Sequence, residues 1–162
     1  MRATIIETAA TLFYANGYNS TGINEVIAKA GIAKATLYNH FSSKEELCLA
    51  YLRQKNEQFF NQLRPFCADY PEGKARILAL FDFLSMLYAE DDFNGCWCIK
   101  TVAEIPKDNQ LIRSEIQLQK QQLIRFIAGL INENLPEITT NKVDTLAKQV
   151  YLLYEGGVSE SH

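Results

Sequence analysis

The sequence predicts an all-α fold of about eight helices. Three observations carry that expectation. Apolar residues recur at three- and four-residue spacing in almost every segment, no segment sustains the alternation of a strand, and the breaks fall at residues that stop or start helices.

Taken in order, Ile5, Ala9, Leu12 and Phe13 share one helical face with Ile6 at its flank, and Asn16-Gly17 supplies a C-terminal stop. The cluster "YNSTG" reads as a turn. A second helix starts near Thr21 or Gly22, with Ile23, Val26, Ile27 and Ala30 as its buried stripe and Gly31 as its break. A third, short helix covers about Lys34 to His40, anchored by Leu37 and Phe41. Ser43 and Glu46 stand at capping-box spacing, so the fourth helix is expected to run from Ser43 to Arg64 and to stop at Pro65. Ile77, Leu80, Phe81, Leu84, Leu87 and Tyr88 stripe a fifth from about Lys74 to Glu90. "CWCIKTVAEI" is a connection or a helix of its own, stopped at Pro106. Residues 108–134 form a long amphipathic stretch, and a last helix over about 140–155 precedes Gly156-Gly157.

At 162 residues the chain is one domain or two small ones, and no apolar run reaches a membrane-spanning length of about 18 residues. The first residues lack the apolar core and cleavage site of a secretory signal, so a cytoplasmic protein without a membrane partner is expected. A net charge of −3 argues against a general polyanion binder. Its distribution is uneven: residues 1–64 hold seven Lys/Arg against five acids, and the remainder nine against fourteen. A mildly basic N-terminal third on an acidic body suits a chain of which only that third meets a polyanion. The four cysteines, Cys48, Cys67, Cys96 and Cys98, match no zinc spacing with the two histidines, His40 and His162, so no metal and no cofactor is expected. Reduced, partly buried thiols are the ordinary reading of such cysteines. No Cys–His nucleophile pairing and no phosphate-binding glycine loop is visible, which sets an enzyme aside.

One stretch poses a question that core packing does not answer. Residues 35–47, "ATLYNHFSSKEEL", place a hydroxyl, a phenol, an amide and an imidazole on a helix too short to be stable alone. Residues 22–41 together read as helix, glycine turn, short helix, the sequence form of a helix-turn-helix whose second helix enters the DNA major groove. In that reading Lys34 and Lys44 meet phosphates, Tyr38 and His40 donate to phosphate oxygens, and Thr36 reaches a phosphate or a base edge. Asn39 reads a base edge, with adenine favoured, while Thr21 and the amides opening the second and fourth helices clamp the backbone. The alternative is a helical interaction module whose polar face is only solvated.

The run "TLFYANGYNSTGINEVIAKAGIAKATLYNHFSSKEELCLAYL" resembles the DNA-binding domain of TetR/AcrR-type transcriptional repressors over about residues 3–52. The resemblance rests on Ala9, Leu12, Phe13, Gly17 and Tyr18 at family spacing, on Ile27-Ala28 before Ala30-Gly31-Ile32, on Thr36-Leu37-Tyr38 before His40-Phe41, and on Ser43 to Leu47. Two positions depart from it. Ala33 stands where a capping Ser is common, at a typical cost of about 1 kcal/mol, and Ala35 stands where Gly is frequent at the DNA face. The resemblance implies an all-helical homodimer, with a helix-turn-helix domain over residues 1–46 that binds double-stranded operator DNA. It implies a helical domain over 47–162 that dimerises and binds a small-molecule inducer. The function expected is a ligand-responsive regulator, a repressor by family tendency.

Beyond residue 64 the resemblance is architectural, apart from "NGCWCIKTVAEI", which is similar to the glycine-cysteine run opening the sixth helix in many members. Phe81, Leu84, Leu87, Tyr88, Trp97, Leu123, Phe126 and Tyr151 are the stock for an apolar pocket, weighed against plain core. Trp97 leads, being large, carrying an N–H in need of a partner and lying near a loop. Cys96 and Cys98 are weak candidates for a thiol sensor, with Lys100 the only near base. Family members run longer at the C-terminus, so a truncated dimer interface is expected, with Val143, Leu146, Val150 and Leu153 as its remainder.

Overall fold

The computed structural model describes residues 1–159, and His162, weighed above as a metal ligand, lies outside them. The described residues form eight α-helices: α1 (Arg2–Asn16), α2 (Ile23–Ala30), α3 (Lys34–His40), α4 (Lys44–Ala68), α5 (Lys74–Tyr88), α6 (Trp97–Glu104), α7 (Gln110–Asn134) and α8 (Thr140–Ser159). None of them is long and apolar enough to cross a membrane.

The chain divides into two compact units. The first comprises residues 1–57 and 96–117, thus α1 to α3, the start of α4, all of α6 and the start of α7. Its core gathers Ile5, Ala9, Leu12 and Phe13 of α1 with Val26, Leu37, Phe41, Leu47, Tyr51, Leu52, Cys98 and Ile112. The face predicted for α1 is buried as expected, and Ile6 is buried with it. Phe13 meets Tyr51 edge-on with ring centroids 5.6 Å apart. Each such side chain removed from water is worth roughly 1.5–3 kcal/mol, enough to hold helices too short to persist alone.

The second unit comprises residues 58–95 and those from 118 onward. Phe60, Leu63, Ile77, Leu80, Phe83, Leu123, Ile127, Ile131, Ala147 and Tyr154 are buried in it. Phe83 takes Phe59 and Phe66 edge-on at 5.7 and 5.3 Å. Buried Asn134 accepts from the Gly73 amide at 3.0 Å and donates to the Leu130 carbonyl at 2.9 Å. Lys120 of α7 and Glu155 of α8 form an ion pair at 2.6 Å.

Two helices run past their expected ends. α4 does not stop at Arg64 but carries Pro65 inside it and ends at Ala68. Pro65 lacks only its own amide; its carbonyl still accepts from Asp69 N–H at 3.0 Å. Burial of Cys67, the Phe66–Phe83 contact and the Arg76 guanidinium on the Ala68 and Tyr70 carbonyls hold the extra turn. α8 likewise passes through Gly156-Gly157 to Ser159. There Tyr88 donates to the Gly157 carbonyl, and a Cβ on Gly157 would lie 2.9 Å from Leu84, so a side chain would be crowded. At the start of α4, Ser43 Oγ accepts from Glu46 N–H at 3.1 Å as predicted. The Glu46 carboxylate reaches one residue further back than a capping box, taking Ser42 N–H at 2.7 Å and Ser42 O–H at 2.8 Å.

Candidate nucleic-acid interface

The turn between α2 and α3 is built by Gly31. Its φ of 65° is left-handed, its N–H donates to the Ala28 carbonyl, and Ile32 N–H donates to the Ile27 carbonyl, both at 3.2 Å. That pair of bonds closes a helix sharply and suits glycine at the left-handed position. α3 then begins at Lys34 without a side-chain cap, as Ala33 predicts; the Ala33 carbonyl accepts from Thr36 and Leu37. What holds α3 is tertiary: Leu37 is fully buried and Phe41 almost so.

With Leu37 inward, the helical period turns Lys34, Ala35, Tyr38 and Asn39 to solvent on one face, Tyr38 being 45% exposed. Thr36 and His40 are half-buried at its edges. Lys44 is half-buried, its ammonium 4.3 Å from the centre of the Tyr18 ring. Desolvation lowers its pKa, against upward pulls from Cys48 and Glu104. The same burial pushes the Tyr18 phenol up to about 12.

Thr21 is not on this face. It is fully buried, and its hydroxyl donates to the Gly17 carbonyl at 2.9 Å and to the Leu12 carbonyl at 3.3 Å. The side chain fastens the α1–α2 turn and is not free to reach a phosphate. Sequence reasoning missed Arg2, an exposed guanidinium 5.0 Å above the ring of Phe41, where α3 ends. Its only sequence signal is a basic residue on the first turn of α1.

α6 fastens the helix-turn-helix from within the same unit. The Glu104 carboxylate accepts from Asn19 N–H at 2.6 Å, and the Asn19 amide donates to the Glu104 carbonyl at 2.7 Å. Gly17, at φ 90°, has this carboxylate where a Cβ would stand. Lys100 donates to the Tyr14 carbonyl at 2.8 Å, a cation on the last turn of α1 where the helix dipole favours one. Asn109 caps α7 through Ile112 N–H and donates to Glu45 at 2.5 Å.

The apolar candidates fall in both units. Phe81, Leu84, Leu87, Tyr88, Leu123, Phe126 and Tyr151 belong to the second unit, whereas Trp97 packs, half-buried, against the core of the first. Leu84 and Leu123 are buried, Phe126 meets Phe60 edge-on at 5.7 Å, and Tyr88 is 40% exposed. Burial pushes the Cys48 thiol up to about 12 and Cys67 up to about 11, so neither supplies a thiolate near neutrality.

Residues 5–51 match the family model described as bacterial regulatory proteins, tetR family. The chain is 22% identical over 132 residues to the fatty acid metabolism regulator protein of Bacillus subtilis, covering 81% of this chain and 66% of that one. It is 28% identical over 123 residues to the biofilm operon icaADBC HTH-type negative transcriptional regulator IcaR of Staphylococcus epidermidis, covering 76% of this chain and 63% of that one. The matches thus span just under two thirds of these relatives' own lengths. Among solved structures, a cysteine-substituted CifR, a TetR family transcriptional regulator complexed with 26bp double-strand operator DNA, superposes with a TM-score of 0.83 at 17% identity, covering 99% of this chain and 86% of that one.

Proposed function

We propose, from the match of residues 5–51 to the tetR family model, that this chain is a TetR/AcrR-type transcriptional regulator that grips double-stranded operator DNA through α3 and is released by a small-molecule inducer. The observation that carries the DNA half is the split of α3: Leu37 and Phe41 are buried, while Lys34, Tyr38 and Asn39 stand together in solvent. Lys34, Lys44 and His40 serve phosphates, Thr36 a phosphate or a base, and Asn39 a base edge. Ala35 lies on the same face and lets the backbone approach. Residues 1–46 form the DNA-binding part, and residues 47–162 carry ligand binding and dimerisation. The likeness to IcaR, a negative transcriptional regulator, and to CifR complexed with operator DNA supports repression at an operator.

The inducer half rests on the aromatic and aliphatic side chains of the second unit, the stock from which an apolar pocket is built. A homodimer is supported by α8, where Leu152 and Leu153 are each 67% exposed. Val143, named above for that interface, is buried within its own subunit at 4% exposure. Two subunits set their α3 helices in successive major grooves, roughly 34–36 Å apart. An inducer shifts the equilibrium only by its difference in affinity for the two states.

The test is a gel shift on DNA flanking the gene at several salt concentrations. Lys34→Ala is expected to weaken binding to every sequence and to lower the salt slope by about one phosphate. Asn39→Ala is expected to relax preference at one base position. An affinity indifferent to salt in the unsubstituted protein would favour the interaction module instead.

A further inference from the structure

Lys44, assigned above to a phosphate, does not stand free in solvent. It is half-buried, and its ammonium lies 4.3 Å from the centre of the Tyr18 ring. Burial pushes the Tyr18 phenol up to about 12, so near neutrality the ring is an uncharged platform whose face attracts a cation. Tyr18 in turn packs on Phe13 of the core, with ring centroids 5.5 Å apart.

Glu104 of α6 holds the residues on either side of that ring. After Tyr18, its carboxylate accepts from Asn19 N–H at 2.6 Å, and its carbonyl accepts from the Asn19 side-chain amide at 2.7 Å. Before Tyr18, the same carboxylate fills the space that a Cβ on Gly17 would take. One turn earlier on α6, Lys100 donates to the Tyr14 carbonyl at 2.8 Å and fastens the helix to the end of α1. The carboxylate also acts on Lys44 itself: desolvation lowers the Lys44 pKa, and Cys48 and Glu104 pull it back up. These residues all lie in the first unit.

A lysine has a long flexible stem, and ordering that stem on a phosphate costs entropy. A platform that has already ordered the stem lowers the cost. We propose, resting on the operator reading above, that Glu104 is a positioning residue for DNA binding: it fixes the Tyr18 ring from both sides, and the ring holds Lys44 ready for a phosphate. The hydrogen bonds of Glu104 serve this role, whereas its negative charge opposes a nearby phosphate.

The test is a double-mutant cycle read by gel shift on DNA flanking the gene, well below each variant's melting temperature and at a salt concentration low enough for Lys44→Ala to bind. Glu104→Ala is expected to weaken binding by about fivefold. Glu104→Gln keeps an acceptor for Asn19 N–H and sheds the charge, so it is expected to bind at least as tightly as the unsubstituted protein. In a Lys44→Ala background, Glu104→Ala is expected to change affinity by less than about twofold, an outcome that a merely structural role would not produce. Should Glu104→Ala not fold, Tyr18→Leu removes the platform and takes its place in the cycle with the same two expectations. Three results would each overturn the proposal and leave the operator reading standing: undiminished affinity in Glu104→Ala, an equal loss with and without Lys44, or a loss in Glu104→Gln as large as in Glu104→Ala. No shift by the unsubstituted protein would overturn the operator reading and take this inference with it.

Discussion

Thr21 and Gly17 look alike in the sequence as members of one polar turn, yet they do different work. Thr21 faces inward on two backbone carbonyls. Thr21→Val is therefore expected to lower stability by about 1 kcal/mol in urea titration while leaving the salt slope of DNA binding unchanged, an outcome opposite to that of a phosphate contact. Gly17 combines a positive φ with the Glu104 carboxylate in the place of its missing Cβ. Gly17→Ala is expected to cost about 1–3 kcal/mol by the same measurement, because the carboxylate must abandon Asn19 N–H to make room. Glu46 shows a residue-scale effect of pH. Its two bonds from Ser42, the backbone one first and helped by Arg2, hold its carboxyl below the ordinary value of 4.5 against a small opposing desolvation. A depressed carboxyl contributes stability that is complete above its unfolded pKa and is lost as pH falls through the folded one. Glu46→Gln should therefore flatten that part of the stability profile below about pH 4.5 and leave the region above pH 6 parallel to the unsubstituted protein.

At the scale of elements, the sequence is a good guide to where helices start and a poorer guide to where they stop. Gly31 ends α2 in the predicted place because a left-handed glycine with two satisfied carbonyls is a local device, complete within six residues. Pro65 and Gly156-Gly157 are also local stop signals, yet α4 and α8 run through them. There the penalty is offset by partners distant in sequence, Phe83 and Arg76 for α4 and Tyr88 for α8. Pro65→Ala is accordingly expected to raise the melting temperature, since it restores a missing backbone donor without disturbing those contacts. α3 is the converse case. It has no cap and only seven residues, and Leu37 is its principal anchor. Leu37→Ala should cost about 2–5 kcal/mol and abolish DNA binding together with the local helix, as circular dichroism and gel shift would both register.

For the molecule as a whole, charge and exposed apolar surface bear on assembly. The net charge of −3 conceals a basic excess over residues 1–64, so DNA affinity should fall steeply with salt even though the protein is acidic. Replacing Leu152 and Leu153 with Lys is expected to shift sedimentation toward monomer without lowering the melting temperature of the monomer, because both side chains are largely in water already. Seven of the helices, the turn at Gly31, the inward Leu37 and the polar outward face of α3 are legible in the sequence, with α6 left open as a connection or a helix, because each follows from a period or a dihedral preference within one or two turns of chain. That Thr21 is interior, that Trp97 packs with the helix-turn-helix unit and that Glu104 clamps the α1–α2 turn emerges only from the fold. Those facts depend on which side chains meet across tens of residues, and such meetings are set by packing and desolvation, which no local pattern records.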